Sequence, residues 1–451
     1  MNNTIVALAT PVGVGAIGVI RLSGSEAINI VQKIFSKKIT DKPSHTLHFG
    51  KITGLDGKVI DEVVLSIFKA PKSYTGENVI EISCHGSPFI QQKIIELILK
   101  NGARLAKPGE FTLRAFLNRK LDLAQAEAVA DLIAADSEAS HNLAIQQMKG
   151  VFSDKIKNLR QSLIDFASLI ELELDFGEED VEFANRKELL LLIEEIEKVV
   201  NGLKISFSTG NVLKKGVATV LAGKPNAGKS TVLNALLNEE RAIVSNIAGT
   251  TRDSIEETIN VNGVLFRFID TAGIRTSTNE IEDIGIGKTF ENIKKADLIL
   301  YVFDAKISNL KNITDEINSL KTEKKIIAVA NKIDLCDIKK VKIELKKLGY
   351  DVVYISAKNK EIKELTEKLE KFAAQLNNQS TTLINNVRHY EALVKTSESL
   401  KDITNGINST ISTDLLALDI RKALFHLSEI TGEISTEDLL DNIFSRFCIG
   451  K

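Results

Sequence analysis

The sequence predicts a multidomain chain in which α/β units alternate with helical segments, one α/β unit being inserted into the helical part. Three observations carry this. Residues 1 to about 118 alternate strand and helix signals; helical periodicity stands on both sides of a second α/β unit; and residues 217–237 read as strand, glycine loop, helix. At 451 residues the chain exceeds one ordinary domain, and about three is the expectation from length. A hydrophobic content of 43% with 26% charged residues supplies enough apolar material for sizeable cores.

In the first segment, Ile5 to Ala9 and Ala16 to Arg21 read as strands, and Ser25-Glu26 opens a helix through Phe35. Glu62 to Phe68 and Val79 to Ser83 read as further strands. Ser87 and Pro88 open a helix from Phe89 to Lys100, because proline suits a first helical turn and Gly102 stands past the end. Cys84-His85 reads as a turn before that helix rather than a ligand pair, since no third ligand is near.

From about residue 119 the character becomes helical. Leu121 to Ala135 is rich in Ala, Leu and acidic residues. Phe152, Ile156, Leu159, Leu163, Phe166 and Ile170 recur at alternating steps of four and three, one apolar stripe on a long helix. Such a stripe forms a bundle core or, alternatively, an oligomer seam. The acidic run Glu171 to Asp180 reads as a solvated face and loop, and Glu188 to Val200 as another helix. Lys214-Lys215-Gly216 opens the second α/β unit, which runs to about Ala374 before a polar linker, Gln375 to Thr381. Asn386 to Lys401, Thr413 to Ile430 and Thr436 to Phe444 are again helical. Helices before and after an α/β unit predict an insertion, with divisions 1–118, 119–212, 213–378 and 379–451.

The net charge of −2 announces no bulk attraction to nucleic acid, so any basic surface is local. Cys84, Cys336 and Cys448 lie far apart and form no C-x-x-C pair, which favours a reducing cytosol. No signal-peptide pattern opens the chain and no apolar run reaches membrane-spanning length, so a cytoplasmic protein without a membrane partner is expected.

The chemistry centres on Gly223-Lys-Pro-Asn226-Ala227-Gly228-Lys229-Ser230, between the strand Val217 to Leu221 and the helix opened by Thr231. Strand, glycine loop and helix is the context of a phosphate-binding loop, whose backbone N–H groups point at phosphate oxygens. Lys229 would reach the β- and γ-phosphates and the Ser230 hydroxyl would bind Mg²⁺. Asn331-Lys332-Ile-Asp334 follows the strand Ile326 to Ala330, and Asp334 can accept from N1–H and the exocyclic amine of guanine, a donor pair that adenine lacks. Ser356-Ala357-Lys358, after the strand Val352 to Ile355, can back the base pocket. Asp270-Thr271-Ala272-Gly273 ends the strand Leu265 to Ile269; Asp270 would hold Mg²⁺ through water and the Gly273 N–H would sense the γ-phosphate. Gly249-Thr250-Thr251-Arg-Asp253 supplies a switch, with Thr251 for the metal. This order and spacing are those of a GTPase.

For hydrolysis a water must be aligned and charge stabilised. Ile274, directly after Gly273, can do neither. The residues leave Arg275, Glu280, Glu282 and Asp283 open as candidates. A monovalent cation held by Asn226 and carbonyls of Ser245 to Thr250 could supply the charge; equally, Asn226 could be a turn-stabilising residue.

The chain resembles the bacterial and organellar tRNA-modification GTPases of the MnmE (TrmE) family, essentially end to end. The likeness rests on Ile5-Val-Ala-Leu-Ala-Thr-Pro11, Tyr74-Thr-Gly-Glu-Asn-Val-Ile-Glu81, His85-Gly86, Pro108-Gly-Glu-Phe111 and Arg114-Ala-Phe-Leu-Asn118. It continues through Lys120-Leu-Asp-Leu-Ala-Gln-Ala-Glu127, the GTPase motifs, and Phe447-Cys-Ile-Gly-Lys451. The resemblance implies a tetrahydrofolate-binding-like α+β domain that pairs two chains, and a helical domain interrupted by a Ras-like P-loop GTPase domain. It implies 5-formyltetrahydrofolate or methylenetetrahydrofolate near Arg21, Glu81, Lys120 and Lys451. It implies K⁺ at Asn226, Ser245, Ile247 and Thr250, nucleotide contacts extending to Asn246 and Ala248, and Glu282 orienting the water. Cys448 matches the family's terminal cysteine, proposed to act in the modification chemistry. The family works with an FAD-dependent, MnmG (GidA)-like subunit, converting the wobble uridine (position 34) of certain tRNAs to carboxymethylaminomethyluridine.

Overall fold

The computed structural model describes residues 3–175, 185–238, 257–269, 291–306, 310–320, 322–346, 349–377, 382–409 and 411–450. The chain forms two compact units, Met1–Ala130 with Gln147–Arg186 and Asp402–Lys451, and Asp131–Gln146 with Lys187–Lys401.

The first unit holds a six-stranded sheet ordered β3-β4-β5-β2-β1-β6. Its strands are β1 (Ile5–Leu8), β2 (Ile17–Ser23), β3 (Thr46–Thr53), β4 (Val59–Phe68), β5 (Val79–His85) and β6 (Arg104–Leu105). Neighbours run antiparallel except β1 and β6, which are parallel. Along β4 the side chains of Asp61, Val63, Leu65 and Ile67 alternate inward, as period-two geometry requires when one face is covered. The cover is α1 (Ala27–Gln32) and α2 (Pro88–Lys100), whose Ile30, Val31, Ile94, Leu97 and Ile98 join Ile20, Leu22, Ile80 and Ile82 in one core. α3 (Glu110–Leu117) follows.

The expected strands and the Pro88 helix are present, with three departures. β3 pairs with β4 as an edge strand; its apolar Leu47 and Phe49 stand exposed and alternate with Thr46, His48 and Gly50, so no continuous apolar run marks it. α1 stops at Gln32, short of Phe35. His85 is the last residue of β5 rather than a turn, and its Nδ1 contacts Asp61 Oδ1 at 2.7 Å. Cys84 is buried, and burial, with Asp61 nearby, pushes its thiol up to about 11.

α4 (Leu123–Ala134), α5 (Glu138–Met148), α6 (Val151–Asp175) and α7 (Arg186–Lys215) come next. On α6 the stripe residues Phe152, Ile156, Leu163, Phe166 and Ile170 are buried, and α6 packs on α13 (Thr413–Thr431) within the first unit, so the stripe is bundle core. Arg160 pairs with Glu433 at 2.6 Å along this contact. The acidic run is only partly solvated: Glu173 is buried and pairs with Arg186 at 2.6 Å, and residues 176–180 lie outside the described residues.

The second unit holds β7 (Val217–Ala222), β8 (Glu257–Val261), β9 (Val264–Phe268), β10 (Leu298–Asp304), β11 (Lys325–Asn331) and β12 (Asp351–Tyr354), ordered β12-β11-β10-β7-β9-β8. All pairs are parallel except β8 with β9. Parallel strands are covered on both faces, which is why β7 and most of β10 are continuous apolar runs. The helices are α8 (Lys229–Leu237), α9 (Leu310–Ser319), α10 (Ile338–Leu345), α11 (Lys363–Asn377) and α12 (Val387–Asn408) as far as Lys401; α14 (Glu437–Phe444) belongs to the first unit. α11 continues to Asn377, so the start of the expected Gln375–Thr381 linker is helical, because Phe372, Ala373 and Leu376 still pack on the sheet core.

One buried ion cluster braces the first unit. Glu110 and Arg114, both at most 3% exposed, pair at 3.1 Å across one turn of α3; Arg104 reaches the same carboxylate at 2.5 Å, and Arg114 also pairs with Glu77 at 2.9 Å. Burial works against the Glu110 charge, but hydrogen bonds from Arg104, the Lys107 amide and Arg114 outweigh it and bring the pKa from 4.5 to about 2. A folded-state pKa below the unfolded value stabilises the fold above pH 4.5, and this contribution is lost as pH falls toward about 2. Glu110→Gln, which takes the carboxylate from Arg104 and leaves Arg114 with Glu77 as its one remaining carboxylate, is expected to cost about 3 kcal/mol. The same change should flatten the acid limb of a urea-melt series between pH 5 and 3; an unchanged pH dependence would count against the cluster.

Candidate nucleotide site

The glycine loop spans residues 223–228, between the end of β7 and the start of α8. β7 is the strand at which the sheet order reverses, with β9 on one side and β10 on the other, the switch point where such sheets bind ligands. Two glycines are required there. Gly223 has φ +135°, and a Cβ on it would meet the Val302 carbonyl at 2.0 Å. Gly228 has φ +95°, and a Cβ would meet Asn331 Nδ2 at 2.3 Å. Asn226, between them, takes φ +61°, a left-handed conformation that Asn tolerates better than most residues.

Lys229 opens α8, and its Nζ donates to Gly223 O at 2.8 Å and Lys224 O at 3.0 Å. Burial pushes its pKa below the ordinary lysine value. Ser230 is half-buried in the first turn of α8, where the positive end of the helix dipole favours anions; Thr231 is exposed beside it. Lys224 pairs with Glu316 of α9 at 2.5 Å, and the Tyr301 hydroxyl donates to the same carboxylate.

The base-recognition motif is tied to this loop by one amide. Asn331, 2% exposed at the end of β11, donates from Nδ2 to Ala227 O at 3.0 Å and accepts from the Ala357 N–H at 3.1 Å. Three stretches separated by up to 130 residues therefore converge on one side chain. Lys332, at φ +64°, donates from Nζ to Asn226 O at 2.7 Å and to Asp304 Oδ2 at 2.8 Å. Asp334 is exposed, and its Oδ1 accepts from the buried Ser356 hydroxyl at 2.6 Å, which fixes the carboxylate. Lys358 is exposed on the adjoining turn. Asp304 went unremarked in the sequence; its signal was an acid closing the apolar run Leu298 to Phe303.

The first unit assembles a second polar group. Arg21 and Glu81 are register partners on β2 and β5, with Arg21 Nε 2.8 Å from Glu81 Oε1. The Arg21 guanidinium lies 5.7 Å from the Tyr74 ring centre and 5.8 Å from that of Phe111, and it donates to Gly450 O at 3.3 Å. Tyr74 also lines an open cavity of about 540 Å³ with His45, Phe68, Lys72, Ser73 and Lys120. Lys120 Nζ donates to Pro71 O at 3.2 Å. Cys448 is exposed, and its carbonyl accepts from Gly109 N–H at 3.4 Å. Ser245, Asn246, Ile247, Ala248, Gly249, Thr250 and Thr251 lie outside the described residues, as do Asp270, Thr271, Ala272, Gly273, Arg275, Glu280, Glu282, Asp283 and Lys451. Among the described residues no group of three or more His, Cys, Asp or Glu could hold a metal ion, and no helix is long and apolar enough to cross a membrane.

A parallel sheet with a glycine loop at its switch point and Asn-Lys-x-Asp on a neighbouring strand end defines the class: a P-loop guanine-nucleotide-binding protein. The family model for the GTP-binding protein TrmE N-terminus matches residues 4–120, and that for the MnmE helical domain matches residues 123–448. The tRNA modification GTPase MnmE of Cytophaga hutchinsonii is 55% identical over 100% of this chain and 98% of its own length. Those of Christiangramia forsetii and Bacteroides fragilis are 52% and 48% identical, each covering 100% of both chains. The solved G domain of the T. maritima FeoB iron transporter is 28% identical, covering 34% of this chain and 97% of that one, with a TM-score of 0.25. The chain belongs to the tRNA modification GTPase MnmE family, and it is a GTPase.

Proposed function

We propose that this GTPase modifies carbon 5 of the wobble uridine (position 34) of certain tRNAs to an aminomethyl-type group, carboxymethylaminomethyluridine. It works as a homodimer with an FAD-dependent partner subunit in the cytoplasm, and GTP hydrolysis drives the conformational step. The four divisions at residues 118, 212 and 378 describe its folate-binding, helical and GTPase parts. The observation that carries the reading is that one chain bears two prepared sites: the Asn331-centred nucleotide site, and the Arg21–Glu81 pair against the Tyr74 ring beside the Cys448-Ile449-Gly450 tail. A folate offers carboxylates and carbonyls to Arg21 and Lys120, donors on the pterin ring to Glu81, and an aromatic face to Tyr74. Its one-carbon unit would arrive beside Cys448, and Lys451 would contribute to folate binding.

In the nucleotide site Lys229 would exchange its two carbonyl partners for the β- and γ-phosphates, and Ser230, with Thr251, would hold Mg²⁺. The metal supplies charge neutralisation on the phosphates. The donor set fits: the Ser230 hydroxyl on the first helical turn is an oxygen donor, and Lys229 beside it would hold the phosphates whose oxygens complete the metal's shell. Asn226, with Ser245, Ile247 and Thr250, would hold K⁺, and Glu282 would orient the water. Asn226 suits that duty because Lys332 takes its backbone carbonyl, which leaves its side-chain amide oxygen for the cation.

The test is steady-state GTP hydrolysis in matched KCl and NaCl. A rate about tenfold or more higher in KCl is expected; equal rates would remove the cation and return Arg275 to consideration. Glu282→Ala is expected to bind GTP normally and lose about a hundredfold in turnover. Unchanged turnover in that variant would reject the role of Glu282.

A further inference from the structure

Asn226 and Lys332 are both non-glycine residues held at positive φ, and they are joined to each other, Lys332 Nζ donating to Asn226 O at 2.7 Å. Backbones of this kind persist only where surrounding contacts over-determine them. That amine also donates to Asp304 Oδ2, at 2.8 Å. Asp304 ends β10, in register with Asn331 at the end of β11, so the parallel pairing delivers its carboxylate beside the base-recognition loop. Its other oxygen is committed: Oδ1 accepts from the Lys306 N–H at 2.9 Å, and the side chain is 15% exposed.

We infer that Asp304 is a positioning residue of the nucleotide site: it sets the Lys332 ammonium on the Asn226 carbonyl and so locks the base-recognition loop to the middle of the phosphate-binding loop. A lysine ammonium is a strongly hydrated point charge on a flexible stem. With the neutral Asn226 carbonyl as its remaining partner here, it gains as much from water; the carboxylate keeps it in the protein. The phosphate-binding loop works by presenting backbone N–H groups in fixed places, so freeing its left-handed turn weakens nucleotide binding. The inference rests on the reading of this site as a guanine-nucleotide site, and it is independent of the proposed cation.

The experiment titrates the full-length protein with a fluorescent GDP, comparing wild type, Asp304→Asn, Lys332→Met and the double variant. Asp304→Asn keeps an oxygen for the Lys306 N–H, and its apo melting temperature is recorded alongside. The single Asp304 change is expected to weaken GDP about tenfold, and Lys332→Met at least as much. In the Lys332→Met background the Asp304 change is expected to add less than twofold, because its effect passes through that ammonium. Asp304→Glu, which keeps the charge, is expected to recover part of the loss. Affinity within twofold of wild type for Asp304→Asn overturns the inference. So does an additive loss in the double variant, which is what a general loosening of the domain produces. Wild-type protein that fails to bind GDP overturns the nucleotide-site reading instead.

Discussion

Lys229→Ala is expected to raise the GTP dissociation constant about a thousandfold and to abolish measurable hydrolysis. The reason lies in how the amine is held. Its Nζ already sits between the Gly223 and Lys224 carbonyls, partly buried, with its charged form disfavoured by desolvation. A triphosphate brings charged acceptors to that point, and each charge-assisted hydrogen bond is worth roughly 1.5–3 kcal/mol. Losing two of them costs about 4 kcal/mol, and about 1.4 kcal/mol is tenfold in affinity. Lys229→Arg is not expected to rescue, since a planar guanidinium cannot take the place of a compact ammonium within the loop. Equilibrium binding with a fluorescent GTP analogue decides the matter. An affinity within threefold of wild type in Lys229→Ala would remove Lys229 from phosphate binding.

Asp334→Asn is expected to lower GDP affinity by about a thousandfold and to make the protein prefer xanthosine diphosphate. A carboxylate accepts from both the N1–H and the exocyclic amine of guanine. An asparagine amide presents one acceptor and one donor, so its NH₂ opposes the guanine amine. Xanthine carries a carbonyl at that position, and the same NH₂ then donates to it. The Ser356 hydroxyl, which donates to Asp334 Oδ1 at 2.6 Å, keeps an oxygen to bind in the variant and holds the amide in the required orientation. Competition between GDP and xanthosine diphosphate for one fluorescent ligand reads the switch. Continued preference for GDP would mean that Asp334 does not face the base. Ser356→Ala, which frees the carboxylate without removing it, is expected to weaken GDP only about fivefold.

The motif positions were legible because each depends on local chemistry. Gly223 and Gly228 stand where a Cβ would strike the neighbouring strand and the Asn331 amide, and both requirements leave a mark in the sequence as glycine. β7, β9 and β11 were legible as apolar runs, since strands inside such a sheet are covered on both faces, and β12 by its β-branched Val352-Val353. β3 escaped because its Leu47 and Phe49 are separated by His48 and followed by Gly50-Lys51, which breaks any apolar run. α5 escaped because its polar composition shows little helical patterning. The acidic run after Ile170 was read by charge alone, which could not reveal that Glu173 is buried against Arg186.

The sequence by itself determined the motifs of this protein: the glycine loop Gly223 to Ser230, Asn331-Lys-Ile-Asp334, and family motifs from Ile5 to Lys451. These are short patterns whose function follows from residue type and spacing within a few turns of chain. Only the tertiary structure decided which distant groups meet. It joined Ala227, Asn331 and Ala357 through one amide, brought Asp304 onto Lys332, and placed the Gly450 carbonyl on Arg21 across 429 residues. Such meetings depend on strand order and register. Those are settled by the packing of the whole sheet and its helices, and no local stretch of sequence carries them.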